Sequence, residues 1–262
     1  MYQKVKEYKA KPLIKENEFL VIAGPCSVES EEKTLKIAKF LLDNNIKYLR
    51  AGAYKPRTSP YTFQGLELEG LEILKRVKKA TGIKVVVEIM DISLVPYYVE
   101  NVDIIQVGAR NMQNFPLLKA LGKTNKPILL KRGFGSTINE WLFAAEYILN
   151  EGNDKVILCE RGIKTFETMT RNTLDISSVP IIKGISKIPV LVDPSHSSGR
   201  GDLIIPLSKA AIAVGSDGIM VEVHDIPESS ISDKDETIDF ETFKTLLKEI
   251  KVIGNALKKE II

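Results

Sequence analysis

Short apolar runs rich in Val, Ile and Leu alternate with amphipathic stretches along the whole chain. The runs fall at 19–23, 47–51, 83–89, 102–107, 127–131, 155–159, 188–192 and 218–222. Each is brief and bounded by Gly, Pro or polar residues, the signature of a strand buried on both faces. Between them, apolar residues recur at helical spacing. Leu35, Ala38, Leu41 and Leu42 follow Ser30-Glu-Glu-Lys and predict a helix reaching to about Asn45. Further helices are predicted at 68–81, 91–100, 114–122, from Thr137 or Asn139 to 150, near 172–184, and at 203–214 and 239–257. Strand and helix alternate eight times at a spacing of roughly 25–35 residues, which predicts a single α/β domain, a (β/α)₈ barrel.

The 262 residues suit one such barrel, and a hydrophobic share of 44% can fill its core. Residues 1–17 are polar and mixed in charge and are expected to cap the barrel, leaving 18–262 as the barrel itself. The net charge of +3 comes from 37 basic and 34 acidic residues spread along the chain, which argues against a nucleic-acid partner. No apolar run approaches the roughly 18 residues needed to span a bilayer, so no membrane is expected. The charged start, Met1-Tyr-Gln-Lys-Val-Lys-Glu, has no signal-peptide core, and a cytoplasmic protein is expected. Two cysteines, Cys26 and Cys159, are too few for a disulfide framework. Abundant Lys, Glu and Ile would suit a thermophile.

The chemistry gathers where the strands stop. Asp193-Pro-Ser-His196 ends the seventh run, and the only other histidine, His224, ends the eighth. Cys26 follows the first; Arg50, Lys55 and Arg57 the second; Arg110 the fourth, Lys131 the fifth and Arg161 the sixth. Strand ends in a closed barrel form one rim, so these cations would ring one pocket suited to phosphate and carboxylate. Cys26, His196 and Glu222 would come from three neighbouring strands, and a thiolate, an imidazole and a carboxylate so placed can hold a divalent transition metal. A fourth ligand is expected from the loop after the eighth strand, where spacing does not choose among Asp225, Glu228, Asp233, Asp235, Glu236 and Asp239.

Each residue also has a plainer role. Cys26 could be an ordinary buried thiol, and Cys159, inside a strand, is expected in the core. Glu222 lies between valines and needs a cation, either a metal or a basic side chain. His224 could be a ligand, a donor to one, or a hydrogen-bonded rim residue. Lys55 or Lys131 could form a Schiff base, with a pKa lowered by the arginines around it.

Seven motifs occur in order: Gly24-Pro-Cys-Ser-Val-Glu-Ser30, Lys55-Pro-Arg-Thr-Ser-Pro60, Gly108-Ala-Arg-Asn-Met-Gln-Asn114, Lys131-Arg-Gly133, Glu160-Arg-Gly162, Asp193-Pro-Ser-His196 and Val221-Glu-Val-His224. Together, over about residues 19–250, they resemble the 3-deoxy-D-arabino-heptulosonate 7-phosphate (DAHP) synthases of the short beta subtype of class I. The resemblance implies a barrel that condenses phosphoenolpyruvate with D-erythrose 4-phosphate in the first step of the shikimate pathway. It implies one divalent ion per subunit (Mn, Fe, Co or Zn) on Cys26, His196, Glu222 and Asp233. Asp233 answers the family's Ser-Asp-Gly motif, here Ser232-Asp233-Lys234 without the Gly. Phosphoenolpyruvate would contact Arg50, Lys55, Ala109, Arg110, Lys131 and Arg161; the sugar phosphate would fall on Arg57, Thr58 and Ser59. Lys55, Cys26 and His196 are the expected catalytic residues, and a homodimer or homotetramer is implied.

The sister family, the 3-deoxy-D-manno-octulosonate 8-phosphate synthases, uses arabinose 5-phosphate. It carries a Lys-Ala-Asn-Arg-Ser type of motif where this chain has Lys55-Pro56-Arg57-Thr58, which favours the four-carbon sugar. A Schiff-base aldolase and a non-catalytic effector-binding barrel are the remaining alternatives. The subtype often carries a regulatory domain or a fused chorismate mutase. This chain has room for neither, so no built-in feedback by aromatic amino acids is expected.

Overall fold

A computed structural model describes residues 1–9, 13–56 and 59–262. Eight parallel strands close into a barrel: β1 Glu18–Gly24, β2 Tyr48–Arg50, β3 Lys84–Glu88, β4 Ile104–Val107, β5 Ile128–Lys131, β6 Val156–Glu160, β7 Val190–Val192 and β8 Gly218–Val223. Closure comes from β1 and β8, which pair from Leu20↔Gly218 to Gly24↔Glu222. Two short strands, β9 Thr237–Ile238 on β8 and β10 Glu260–Ile261 on β1, extend the ring and have no counterpart in the apolar pattern. The alternation of strands and helices is thus the (β/α)₈ fold that the sequence predicts.

Local signals set the helix ends. Ser30 caps Glu31–Asp43, Thr137 and Glu140 form a reciprocal capping box on Ile138–Asn150, and Asp239 caps Phe240–Ala256. The helix expected over 91–100 is instead a tight turn, Ile92–Leu94, followed by α-helix Val95–Asn101. Pro96 near its start lacks an N–H, which costs nothing in the first turn. The helix placed near 172–184 begins only at Ser178 and runs to Ile185.

Side chains alternate across a strand, so residues two apart share a face. The lumen holds Leu20 and Ile22, Val86, Ile104, Leu129, Ile157 and Cys159, Leu191 and Met220 as one apolar cluster. Burying one such aliphatic side chain is worth about 1.5–3 kcal/mol. Two residues further along, the same face turns polar: Glu88 after Val86, Gln106 after Ile104, Lys131 after Leu129, Arg161 after Cys159, Asp193 after Leu191 and Glu222 after Met220. The barrel is therefore plugged at its N-terminal end and charged at its C-terminal mouth. Ile14 joins the plug from below. The helix Gln3–Lys6 lies outside the barrel, where Val5 N–H donates to Glu146, Ser186 to the Val5 carbonyl, and Tyr8 to the Asp154 carbonyl.

Candidate active site

At the mouth, Asp193 is the hub. Its carboxylate accepts from Lys131 Nζ at 2.5 Å and from the His196 backbone N–H at 2.9 Å, and it lies 2.8 Å from His196 Nδ1. Burial opposes its charge, yet the partners His196 and Lys131 hold it well below the usual carboxylate range. Burial also pushes the His196 pKa down to about 4, so the ring is neutral near pH 7 and the standing positive partner is Lys131. A neutral ring with Nδ1 toward a carboxylate carries its proton there and leaves Nε2 as a lone pair. That Nε2 lies 3.3 Å from Glu222 Oε1.

Glu222 has the cation its apolar surroundings demand. Arg50 Nη1 donates to its Oε1 at 2.8 Å and to the Pro25 carbonyl at 2.7 Å. Ligand atoms of His196, Glu222, Asp233 and Glu236 all lie within 4.8 Å of one another. Cys26 adjoins the group, its thiol donating to Asp233 Oδ2 at 2.8 Å and accepting from Lys55 Nζ at 2.9 Å. Burial, with Glu222 beside it, pushes the Cys26 pKa up to about 12.

Glu236 is the member that spacing did not single out. Its carboxylate takes both oxygens to Arg171 Nη1 at 2.6 and 2.7 Å, yet burial and Glu222 still push its pKa up to about 8. Three carboxylates and one imidazole lone pair converge on this small volume, while Arg50, Arg171 and Lys55 meet the carboxylates from outside it. Oxygen and imidazole nitrogen donors this close together fit a divalent cation. Asp233 stands in the left-handed region at φ 53, which Asp tolerates better than most residues. Lys234 begins a short helical turn through Glu236, so no glycine is required there.

Lys55, Ala109, Arg110, Lys131, Arg161 and His196 line one cavity, together with Gly108, Phe134, Arg171, Glu88 and Gln106. The predicted cations after β4, β5 and β6 therefore share a single wall. Arg50 does not line it, because its Nη1 is committed to Glu222 and Pro25. Arg57 and Thr58 lie outside the described residues. The Ser59 hydroxyl accepts from Tyr61 N–H at 3.3 Å, away from this wall.

Two of the open alternatives narrow. Burial disfavours the Lys55 ammonium, but the acidic groups Cys26, Glu222 and Asp233 outweigh it and raise its pKa above the ordinary lysine value. With its charge locked in place, Lys55 is not the lowered-pKa amine that a Schiff base needs. His224 stands apart from the four clustered donors. Its Nδ1 accepts from Ile226 N–H at 3.0 Å, and its Nε2 faces Glu29 Oε2 at 3.6 Å.

Glu88, Gln106, Phe134, Glu29 and Arg171 were missed as well. The lumen alternation could have marked Glu88 and Gln106, which bond to each other at 3.0 Å. Phe134, Glu29 and Arg171 carry no periodic signal.

A parallel barrel whose mouth sets a cation-lined cavity against buried imidazole and carboxylate donors defines an enzyme built to handle small phosphorylated anions. The comparisons with known proteins are specific. The sequence pattern of the DAHP synthetase I family matches residues 9–258, and the chain belongs to that family. A phospho-2-dehydro-3-deoxyheptonate aldolase of Thermotoga maritima is 59% identical over 239 residues, 91% of this chain and 71% of that protein. A 2-dehydro-3-deoxyphosphooctonate aldolase of Geobacter sulfurreducens is 34% identical, over 91% of this chain and 93% of its own length. A truncated 3-deoxy-D-arabino-heptulosonate 7-phosphate synthase of Thermotoga maritima superposes with a TM-score of 0.89 at 54% identity, covering 95% of this chain and 91% of that one.

Proposed function

We propose that this chain condenses phosphoenolpyruvate with D-erythrose 4-phosphate and water to give DAHP and phosphate, as the first step of the shikimate pathway. The observation that carries the reading is the meeting of Arg110, Lys131 and Arg161 on one cavity wall beside His196 and Asp233. The much higher identity to the heptonate aldolase than to the octonate aldolase favours the four-carbon sugar.

In this reading Arg110, Lys131, Arg161 and Lys55, with Ala109, bind the phosphate and carboxylate of the enol substrate. Arg50 acts from behind by neutralising Glu222. Arg57, Thr58 and Ser59 are proposed for the sugar phosphate. A divalent ion (Mn, Fe, Co or Zn), one per subunit, would be held by Cys26, His196, Glu222 and Asp233 and supplies Lewis acidity toward the aldehyde oxygen. The enol methylene carbon attacks the aldehyde carbon, water adds to the former enol carbon, and the resulting hemiketal phosphate loses phosphate. Lys55 keeps its proton until an alkoxide forms and then donates it. A cytoplasmic homodimer or homotetramer, with residues 1–17 bracing the barrel, completes the reading. No helix among the described residues is long and apolar enough to cross a membrane.

The test is phosphate release from phosphoenolpyruvate with erythrose 4-phosphate or arabinose 5-phosphate, before and after chelation and metal add-back. Turnover with the four-carbon sugar, lost on chelation and regained with metal, is expected. Preference for arabinose 5-phosphate overturns the reading, and so does indifference to chelator.

A further inference from the structure

Most cations at the mouth are already matched by carboxylates. Arg50 pairs with Glu222, Lys131 with Asp193, Arg132 with Glu160 and Asp175, and Arg171 with Glu236. Arg110 and Arg161 differ. Among the described residues neither has a carboxylate in ion-pair contact, and both stand over one aromatic ring. The guanidinium carbons lie 5.2 Å and 4.5 Å from the centroid of Phe134. Phe134 follows β5, which lies between β4 and β6, the strands that deliver the two arginines.

We propose that Phe134 is a positioning residue that holds Arg110 and Arg161 as one anion clamp and thereby sets the affinity for phosphoenolpyruvate. The inference rests on the function proposed above and names the device that prepares its anion site. Two like charges on one wall repel each other until an anion arrives between them. A carboxylate could hold them, but it would compete with the incoming phosphate. An aromatic face attracts both flat guanidinium groups electrostatically and sets no competing anion at their N–H edges. Arg161 Nη2 also donates to the His196 carbonyl at 3.0 Å, which ties the clamp to the donor cluster.

The ring can do this because its loop is pinned. Arg132 anchors it from Nη1 to Glu160 and Asp175 and from Nε to the Ser136 carbonyl at 2.9 Å. The Phe134 carbonyl accepts from Lys164 N–H at 2.7 Å.

The experiment compares Phe134→Leu, Phe134→Met and Phe134→Tyr with wild type by steady-state kinetics and by calorimetric titration with phosphoenolpyruvate. Thermal melts confirm folding, and the methionine variant stands in if leucine fails to fold. The aliphatic variants are expected to raise KM and Kd for phosphoenolpyruvate by about tenfold, from two lost cation–π contacts. Tyrosine should restore wild-type values, and kcat and the sugar KM should move by less than about threefold. Unchanged phosphoenolpyruvate affinity in the aliphatic variants overturns the proposal, as does a fall confined to kcat or a tyrosine variant as weak as leucine. If wild type releases no phosphate, the function itself fails, while the titration still tests the clamp against phosphoenolpyruvate as a phosphate-and-carboxylate ligand.

Discussion

Arg50 Nη1 and Glu222 Oε1 meet at 2.8 Å where neither side chain exposes more than 5% of its surface. They belong to β2 and β8, and β1 runs between those strands. At that level β1 presents Gly24, paired with Glu222, in a left-handed conformation at φ 150. A Cβ on Gly24 would fall 2.2 Å from the Arg50 carbonyl oxygen. The missing side chain is what lets the two charged strand ends close over β1.

Removing one partner of a buried ion pair strands the other charge. Arg50→Leu is therefore expected to lower the unfolding free energy by about 3–5 kcal/mol. Glu222→Gln, which leaves a neutral hydrogen-bonding group, should cost less while weakening metal binding. Urea unfolding of both variants checks this; equal losses would contradict it.

The cluster distances leave Cys26 and Glu236 competing for a place beside His196, Glu222 and Asp233. If Cys26 is the ligand, cobalt-loaded protein should show a thiolate-to-cobalt charge-transfer band that Cys26→Ser abolishes. Metal affinity should then fall at least about tenfold in Cys26→Ser, and less in Glu236→Gln. The reverse order of the two affinities would assign the site to Glu236.

Glu29 holds the loop that carries Asp233. Its Oε1 accepts from Ile231 N–H at 2.9 Å, and its Oε2 accepts from Lys33 at 2.7 Å. Glu29→Ala is expected to free residues 230–233 and weaken metal binding by about ten- to a hundredfold, with Glu29→Gln partly rescuing it. Hydrogen exchange at Ile231 and a metal titration report the two effects separately.

Asp175 accepts from Arg132 Nη1 at 2.7 Å. Burial opposes its charge, but Arg132 and Ser177 hold its pKa below the ordinary carboxylate value. A carboxyl depressed in the folded state stabilises above its unfolded pKa of about 3.9, and that share is lost as pH falls through the folded value. Asp175→Asn should cost about 1 kcal/mol near pH 7, a modest figure because Asp175 is partly solvated and Glu160 still holds Arg132. The gap between variant and wild type should close below pH 4. Acid-range denaturation curves that stay parallel would refute this.

Strand and helix order, the eight-fold closure and the charged mouth were legible in the sequence because alternation and burial are local, periodic properties. The lumen residues Leu129 and Lys131, or Met220 and Glu222, announce the change from plug to site two positions apart. The placement of His196 beside Glu222, and of Arg110, Lys131 and Arg161 together, followed from barrel closure alone. What the residues do with one another did not. Spacing could not show that Arg50 is spent on Glu222, that Glu236 crowds the donor cluster with Arg171 at its back, or that His224 faces Glu29. Nor could it place Phe134 under two arginines from different strands. Those pairings depend on side-chain direction and on which charges come within a few ångströms, quantities set only when distant strand ends are drawn into one ring.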